Sequence, residues 1–166
     1  MFRIIYSGVI YIMRKLTKRY IISSLDGLNL SEPIKYERYY INDALRIQSK
    51  NGLYQKEVLD EGNNVIERIE ISENEFLELK GNAKARIVRN SYLYLDDKRI
   101  SIKEYLEKYF GLIRVEITFN SEEEEKLYSK ESWIGLEITD SPLAFDKYLY
   151  KLSEKEFKDE LNKYLN

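Results

Sequence analysis

Leu112-Ile113-Arg114-Val115-Glu116-Ile117-Thr118-Phe119 is the stretch that decides the fold. Its alternation has the side-chain period of a β-strand, two residues, so Val115, Ile117 and Phe119 share one face while Glu116 and Thr118 share the other. The same rhythm returns upstream. Arg46 and Gln48 alternate with Leu45 and Ile47, Arg68 and Glu70 with Ile69 and Ile71, and Lys84 and Arg86 with Ala85 and Ile87. Each of these strands carries one charged face.

Working outward, the pattern predicts strands over 15–22, 36–40, 44–48, 54–58, 65–71, 83–94, 112–119 and 135–139. Asn51-Gly52 is a two-residue hairpin signal, and Glu61-Gly62-Asn63-Asn64 supplies the next turn, so consecutive strands run antiparallel. Helices are expected over 73–79, 103–110, 122–129 and 154–165. Three open with a serine followed three residues later by a glutamate: Ser72 with Glu75, Ser121 with Glu124, and Ser153 with Glu156. This pairing lets side chain and backbone satisfy each other's free donors at a helix start. In the last helix Phe157, Leu161 and Leu165 fall four apart and form one apolar stripe.

The class is therefore α+β, an antiparallel sheet with added helices, and its charged faces have two possible destinations. One face of an antiparallel sheet commonly meets water. If the sheet instead closes or nearly closes into a barrel, the charged faces line a polar interior and the apolar faces pack outward beneath the helices. Such a tunnel concentrates positive charge.

Composition narrows the chemistry. The 166 residues suit a single domain. Cysteine and histidine are both absent, which excludes disulfides, thiolate zinc sites and imidazole catalysis. A metal partner would have to be a hard, oxygen-liganded ion such as Mg²⁺ or Mn²⁺. With 27 basic and 29 acidic residues the formal net charge is −2, so no global basic field draws duplex nucleic acid. The apolar run 2–13 contains Arg3 and Ser7 and is too short to span a bilayer, so no membrane association is expected and the chain reads as cytoplasmic. Residues 1–14 are either an N-terminal extension or an added strand, and 15–166 form the barrel domain.

At this point the ordered set resembles the CYTH, or triphosphate tunnel, family, which includes class IV adenylyl cyclases, thiamine triphosphatases and inorganic triphosphatases. Gly111-Leu112 followed by Glu116-Ile117-Thr118-Phe119 is similar to the family's Gly-Leu and Glu-x-Glu-Phe, and Trp133-Ile134-Gly135-Leu136-Glu137-Ile138-Thr139 to its Trp-(Leu/Ile)-Gly-x-Glu-Val-Thr. Leu45-Arg46-Ile47 resembles its Arg-bearing strand, Tyr54-Gln55-Lys56 its Thr-x-Lys, Arg68-Ile69-Glu70 its Arg-x-Glu and Lys84-Ala85-Arg86 its Lys-x-Arg. The resemblance implies phosphate-binding cations at Arg19, Arg46, Lys56, Arg68, Lys84 and Arg86, and metal ligands at Glu116 and Glu137. Those two glutamates are equally readable as ion-pair partners of interior Arg or Lys.

Departures from the family pattern fall on the acids. The first strand, Glu-x-Glu-x-Lys in the family, corresponds to Lys15, Thr17 and Arg19; Lys103 replaces an Asp, Gln48 an Arg and Thr118 a Glu. Cations are largely kept and metal-binding carboxylates largely lost. The expected function is binding of a triphosphate, nucleotide or polyphosphate anion with metal-dependent turnover weakened or lost. The alternatives are an active metal-dependent triphosphatase or nucleotide cyclase using a reduced acidic set, and a structural domain with vestigial interior charge.

Overall fold

Asn51 and Gly52 both adopt positive φ, 47° and 84°, the backbone twist that a two-residue hairpin needs. They join β5 (Leu45–Lys50) to β6 (Leu53–Leu59), as the sequence predicts. In the computed structural model, residues 2–6, 9–13 and 16–165 are described. Lys15 lies outside them.

Strands β1 (Phe2–Tyr6) and β2 (Val9–Met13) pair with each other in a two-stranded sheet. The main sheet has eight antiparallel strands. They are β3 (Leu16–Ile22), β4 (Ile34–Tyr40), β5, β6, β7 (Val65–Glu70), β8 (Ala85–Leu93), β9 (Ile100–Tyr105) and β10 (Ile113–Phe119), in the order β3-β10-β9-β8-β4-β5-β6-β7. Among the described residues no ladder joins β3 to β7, so backbone hydrogen bonds do not close the barrel.

Helices α1 (Glu73–Lys80) and α2 (Glu122–Leu127) start at the serines expected. Ser72 and Ser121 each accept a hydrogen bond from the backbone N–H of the glutamate three residues on, at 3.1 Å in both cases. The helix expected over 103–110 is instead the end of β9 and a 3₁₀ turn (Glu107–Tyr109). Tyr105, Leu106, Tyr109 and Phe110 have helical spacing, but pairing of β9 with both β8 and β10 overrides that local preference. The strand expected over 135–139 is reduced to a bridge between Glu137 and Tyr20, with Ile21 N–H donating to Leu136 O at 2.9 Å and Ile138 N–H to Arg19 O at 2.8 Å.

One face of the sheet is apolar. Tyr20, Ile22, Ile100, Ile102, Val115, Ile117 and Phe119 form a cluster covered by Leu25, Leu28, Leu30, Tyr128 and Trp133. Tyr39 and Ile47 form a second, packed on Ile71 and on Phe76 of α1. Trp133 is thus a core anchor.

The opposite, inner face is polar and largely buried, with Arg38, Arg46, Arg89, Arg114 and Glu57 all under one-tenth exposed. One end of it is different. There Ile21, Tyr40, Ile87 and Tyr105 pack against Leu143, Leu149, Phe157 and Leu161. These belong to a 3₁₀ turn (Pro142–Ala144), α3 (Asp146–Leu149) and α4 (Glu154–Leu165). The C-terminal elements therefore contact residues of the inner face, whereas the sequence placed every helix outside.

Candidate functional site

Residues directly opposite each other in an antiparallel ladder point to the same face, so the registers build the inner surface strand by strand. Thr17 and Arg19 of β3 lie opposite Thr118 and Glu116 of β10. Arg114 lies opposite Lys103 of β9, Lys103 opposite Ser91 of β8, and Arg89 opposite Tyr105 on one side and Tyr36 on the other. Arg38 of β4 faces Gln48, Gln48 faces Gln55, and the row Tyr40, Arg46, Glu57, Arg68 crosses β4 to β7.

Two buried carboxylates organise the floor. Asp146 of α3, 2% exposed, accepts from Arg38 Nη1 at 2.7 Å, from Arg114 Nη2 at 3.4 Å and from the Tyr105 hydroxyl, with Arg89 Nη1 3.6 Å away. Glu57 accepts from Arg46 Nε at 3.0 Å and from Arg68 Nη2 at 2.7 Å. Side-chain amides extend the chain: Arg38 Nε donates to Gln48 at 2.8 Å, and Gln48 Nε2 to Gln55 at 2.8 Å.

Above the floor stands Glu116. It accepts from Arg114 Nε at 3.0 Å, and Arg19 Nε lies 3.6 Å off with its guanidinium over the Phe145 ring. Burial would raise the Glu116 carboxyl, but Arg114, Lys103, Arg19 and Arg89 together hold it far below the usual carboxylate range. Asp146 is held low in the same way, burial being outweighed by Arg89, Arg38 and Arg114. For Lys103, burial and the nearby Arg89, Arg114 and Arg38 outweigh Glu116 and bring the ammonium down to about 8. Burial is the largest part of that shift, and the three guanidinium groups add to it against Glu116.

The donors are also incompletely used. Arg19 Nε, Arg89 Nε and Ser91 Oγ are buried with no hydrogen-bond partner among the described residues. Such groups are costly in a folded interior unless an acceptor reaches them.

The residues singled out in the sequence divide. Arg19, Arg46, Arg68 and Glu116 come together on the inner face. Lys56 does not: it lies opposite Ile47, on the apolar face, and its Nζ pairs with Glu75 of α1 at 3.3 Å. Arg86 does not either: it lies opposite Tyr39, whose hydroxyl accepts from its Nε at 3.0 Å, and it pairs with Glu37 and Glu107 outside. Lys84 is exposed just before β8. Glu137 is exposed beside Lys18, 3.6 Å away. A one-residue shift in strand register exchanges the two faces, and that shift separates Lys56 from Gln55 and Glu57, and Arg86 from Arg89 and Ser91.

Arg38, Arg89, Arg114 and Asp146 were missed. Tyr36-Glu37-Arg38-Tyr39-Tyr40 carried a usable signal for Arg38, since its polar partner Gln48 was already placed inward; Asp146 carried none.

A divalent ion does not fit this donor set. Among the described residues no group of three or more acidic side chains is placed to hold a metal. Glu116 and Glu137 are not brought together. Glu116, Asp146 and Glu57 are each engaged by arginine.

The sheet order and polar inner face make a fold similar to a triphosphate tunnel. Two solved structures of the protein NE1496 share it. One, described as the inorganic triphosphatase NE1496, superposes with a TM-score of 0.70 at 17% identity, covering 86% of this chain and 98% of that one. The other, described as a hypothetical protein, gives 0.68 at 19% identity, covering 82% and 97%. At this identity the likeness is one of fold. No protein-family model matches the sequence, and no curated protein does.

Proposed function

We propose that the chain binds a triphosphate-containing or polyphosphate anion on the inner face of its barrel, with metal-dependent turnover weakened or lost. The observation that carries this is the set of buried donors without a hydrogen bond, Arg89 Nε, Ser91 Oγ and Arg19 Nε (the last 3.6 Å from Glu116), around Lys103, whose charged form is disfavoured by burial and by the nearby guanidinium groups. Phosphoryl oxygens are the acceptors such a set suits, because guanidinium groups meet them in paired, charge-assisted hydrogen bonds. The triphosphatase activity named for NE1496 supports the same ligand class.

The test is thermal. Inorganic tripolyphosphate at millimolar concentration and low ionic strength raises the melting temperature by mass action, and added salt reduces the rise. An unchanged melting temperature would count against any phosphate-binding role.

A second reading is an active metal-dependent triphosphatase or nucleotide cyclase, and the description of NE1496 as an inorganic triphosphatase favours the hydrolytic form of it. It requires turnover of tripolyphosphate or ATP with Mg²⁺ or Mn²⁺ that Glu116→Gln abolishes. Under the first reading Glu116→Gln leaves binding intact or strengthens it, because it removes a negative charge beside the ligand. No helix among the described residues is long and apolar enough to cross a membrane.

A further inference from the structure

Every arginine around Lys103 already has an anionic or carbonyl partner. Arg114 holds Glu116, the Leu143 carbonyl and Asp146; Arg38 holds Asp146 and Gln48; Arg89 Nη1 lies against Asp146 and Tyr105. Lys103 differs. Its Nζ donates to Ser101 Oγ at 3.1 Å, and among the described residues it forms no ion pair within 4.0 Å, Glu116 acting on it from further away while held by Arg114 and Arg19. An ammonium carries three N–H donors, so two remain. The neighbours across the ladders are Arg114 on one side and Ser91, with its unpartnered hydroxyl, on the other. Arg89 and Arg19 add two Nε donors that make no hydrogen bond, that of Arg19 lying 3.6 Å from Glu116.

Resting on the anion-binding function proposed above, we infer that Lys103 is the residue that selects the ligand: its ammonium takes a phosphoryl oxygen directly, so the site accepts the metal-free polyanion in preference to its magnesium complex. A divalent ion on the phosphate chain would remove two negative charges from the ligand and meet the like charge of Lys103. The same crowding that opposes a metal ion rewards the bare polyanion, since each phosphoryl oxygen relieves repulsion among Lys103, Arg89, Arg114 and Arg38. The recognised chemistry is a linear phosphoanhydride chain, whether inorganic or carried by a nucleoside.

The experiment is calorimetric titration of the full chain with inorganic tripolyphosphate and, separately, with ATP, each in EDTA and in excess Mg²⁺. Wild type binds in EDTA and loses about ten-fold in affinity in Mg²⁺. Lys103→Gln weakens metal-free binding by about ten-fold or more, the scale of one hydrogen bond to a charged group. Lys103→Asp reverses the sign of the metal effect, so that Mg²⁺ strengthens binding. Lys103→Arg retains the preference of wild type, which loss of folding alone would not produce. Dependence on Lys103 with either ligand supports the inference and identifies the source of the phosphate chain. Metal-free binding that persists within two-fold in Lys103→Gln, or a wild type that binds only with Mg²⁺, overturns it while leaving anion binding in place. No binding by wild type under any condition overturns the proposed function as well.

Discussion

Arg114 and Asp146 join the sheet to the C-terminal segment: a guanidinium on β10 and a carboxylate on α3 meet at 3.4 Å, both almost wholly buried. Asp146 also receives Arg38 and Tyr105, so one side chain holds β4, β9 and β10 to the helix that closes that end.

Replacing Asp146 by Asn therefore leaves Arg38, Arg89 and Arg114 buried without their shared anion. Removing one partner from a buried ion cluster costs about 3–5 kcal/mol. Urea denaturation should show a loss of that size, and sulfate should restore part of it by binding the freed cations. A loss below about 1 kcal/mol would mean that Asp146 does not hold the floor together.

Lys103 makes stability depend on alkaline pH, with a definite sign. Its folded-state value, about 8, lies below the ordinary 10.5, so the unfolded chain binds more protons between these values. This group's contribution to stability therefore rises as pH increases from 8 to 10.5, and its penalty is fully present below 8. The shift corresponds to about 3 kcal/mol. Lys103→Met should stabilise the ligand-free protein at pH 7 by up to that amount and flatten the rise, as measured by denaturant midpoints across the pH series.

Arg86 and Arg89 are three residues apart on β8 and face opposite ways. Arg89→Ala should weaken tripolyphosphate binding by about 1.5–3 kcal/mol. Arg86→Ala should change it little, because its partners are Tyr39, Glu37 and Glu107 outside the barrel. The reverse ranking would place the anion on the other face.

Gly135 passes so close to β3 that a Cβ there would lie 2.2 Å from the Ile21 carbonyl oxygen. Neither backbone can yield without losing the bonds at Ile21 and Ile138. Gly135→Ala should cost several kcal/mol, about the upper range for single substitutions, and lower the thermal midpoint without altering the affinity of the protein that remains folded.

The strands were legible where polar and apolar residues alternate without interruption. Arg46-Ile47-Gln48 and Glu116-Ile117-Thr118 fixed their own faces, and the hairpin at Asn51-Gly52 fixed a register. Parity failed where alternation breaks: Ile87 and Val88 are adjacent and both buried, one toward the C-terminal helices and one toward the apolar face. In β6, Gln55, Lys56 and Glu57 are consecutive polar residues and name no face by themselves. The separation of Glu137 from Glu116 was not legible for another reason, since 135–139 follows the outer edge of β3 rather than adding a full strand. Asp146 was illegible because its partners lie on strands 32 to 108 residues away in sequence, and no local pattern encodes such a meeting.

The missing ladder between β3 and β7 has a mechanical consequence. A barrel with an unstitched seam has a girth governed in part by what lies inside it, and here the cations Arg19, Arg38, Arg46, Arg68, Arg89, Lys103 and Arg114 outnumber the carboxylates Glu57, Glu116 and Asp146 that pair with them. The net excess of cations presses the wall outward, and a polyanion of the proposed kind spanning it would act as a drawstring. Under the proposed function, filling the barrel should thus slow amide exchange most along β7, because β3 is already held on its outer edge by 136–138 and packed through Ile21 on α4.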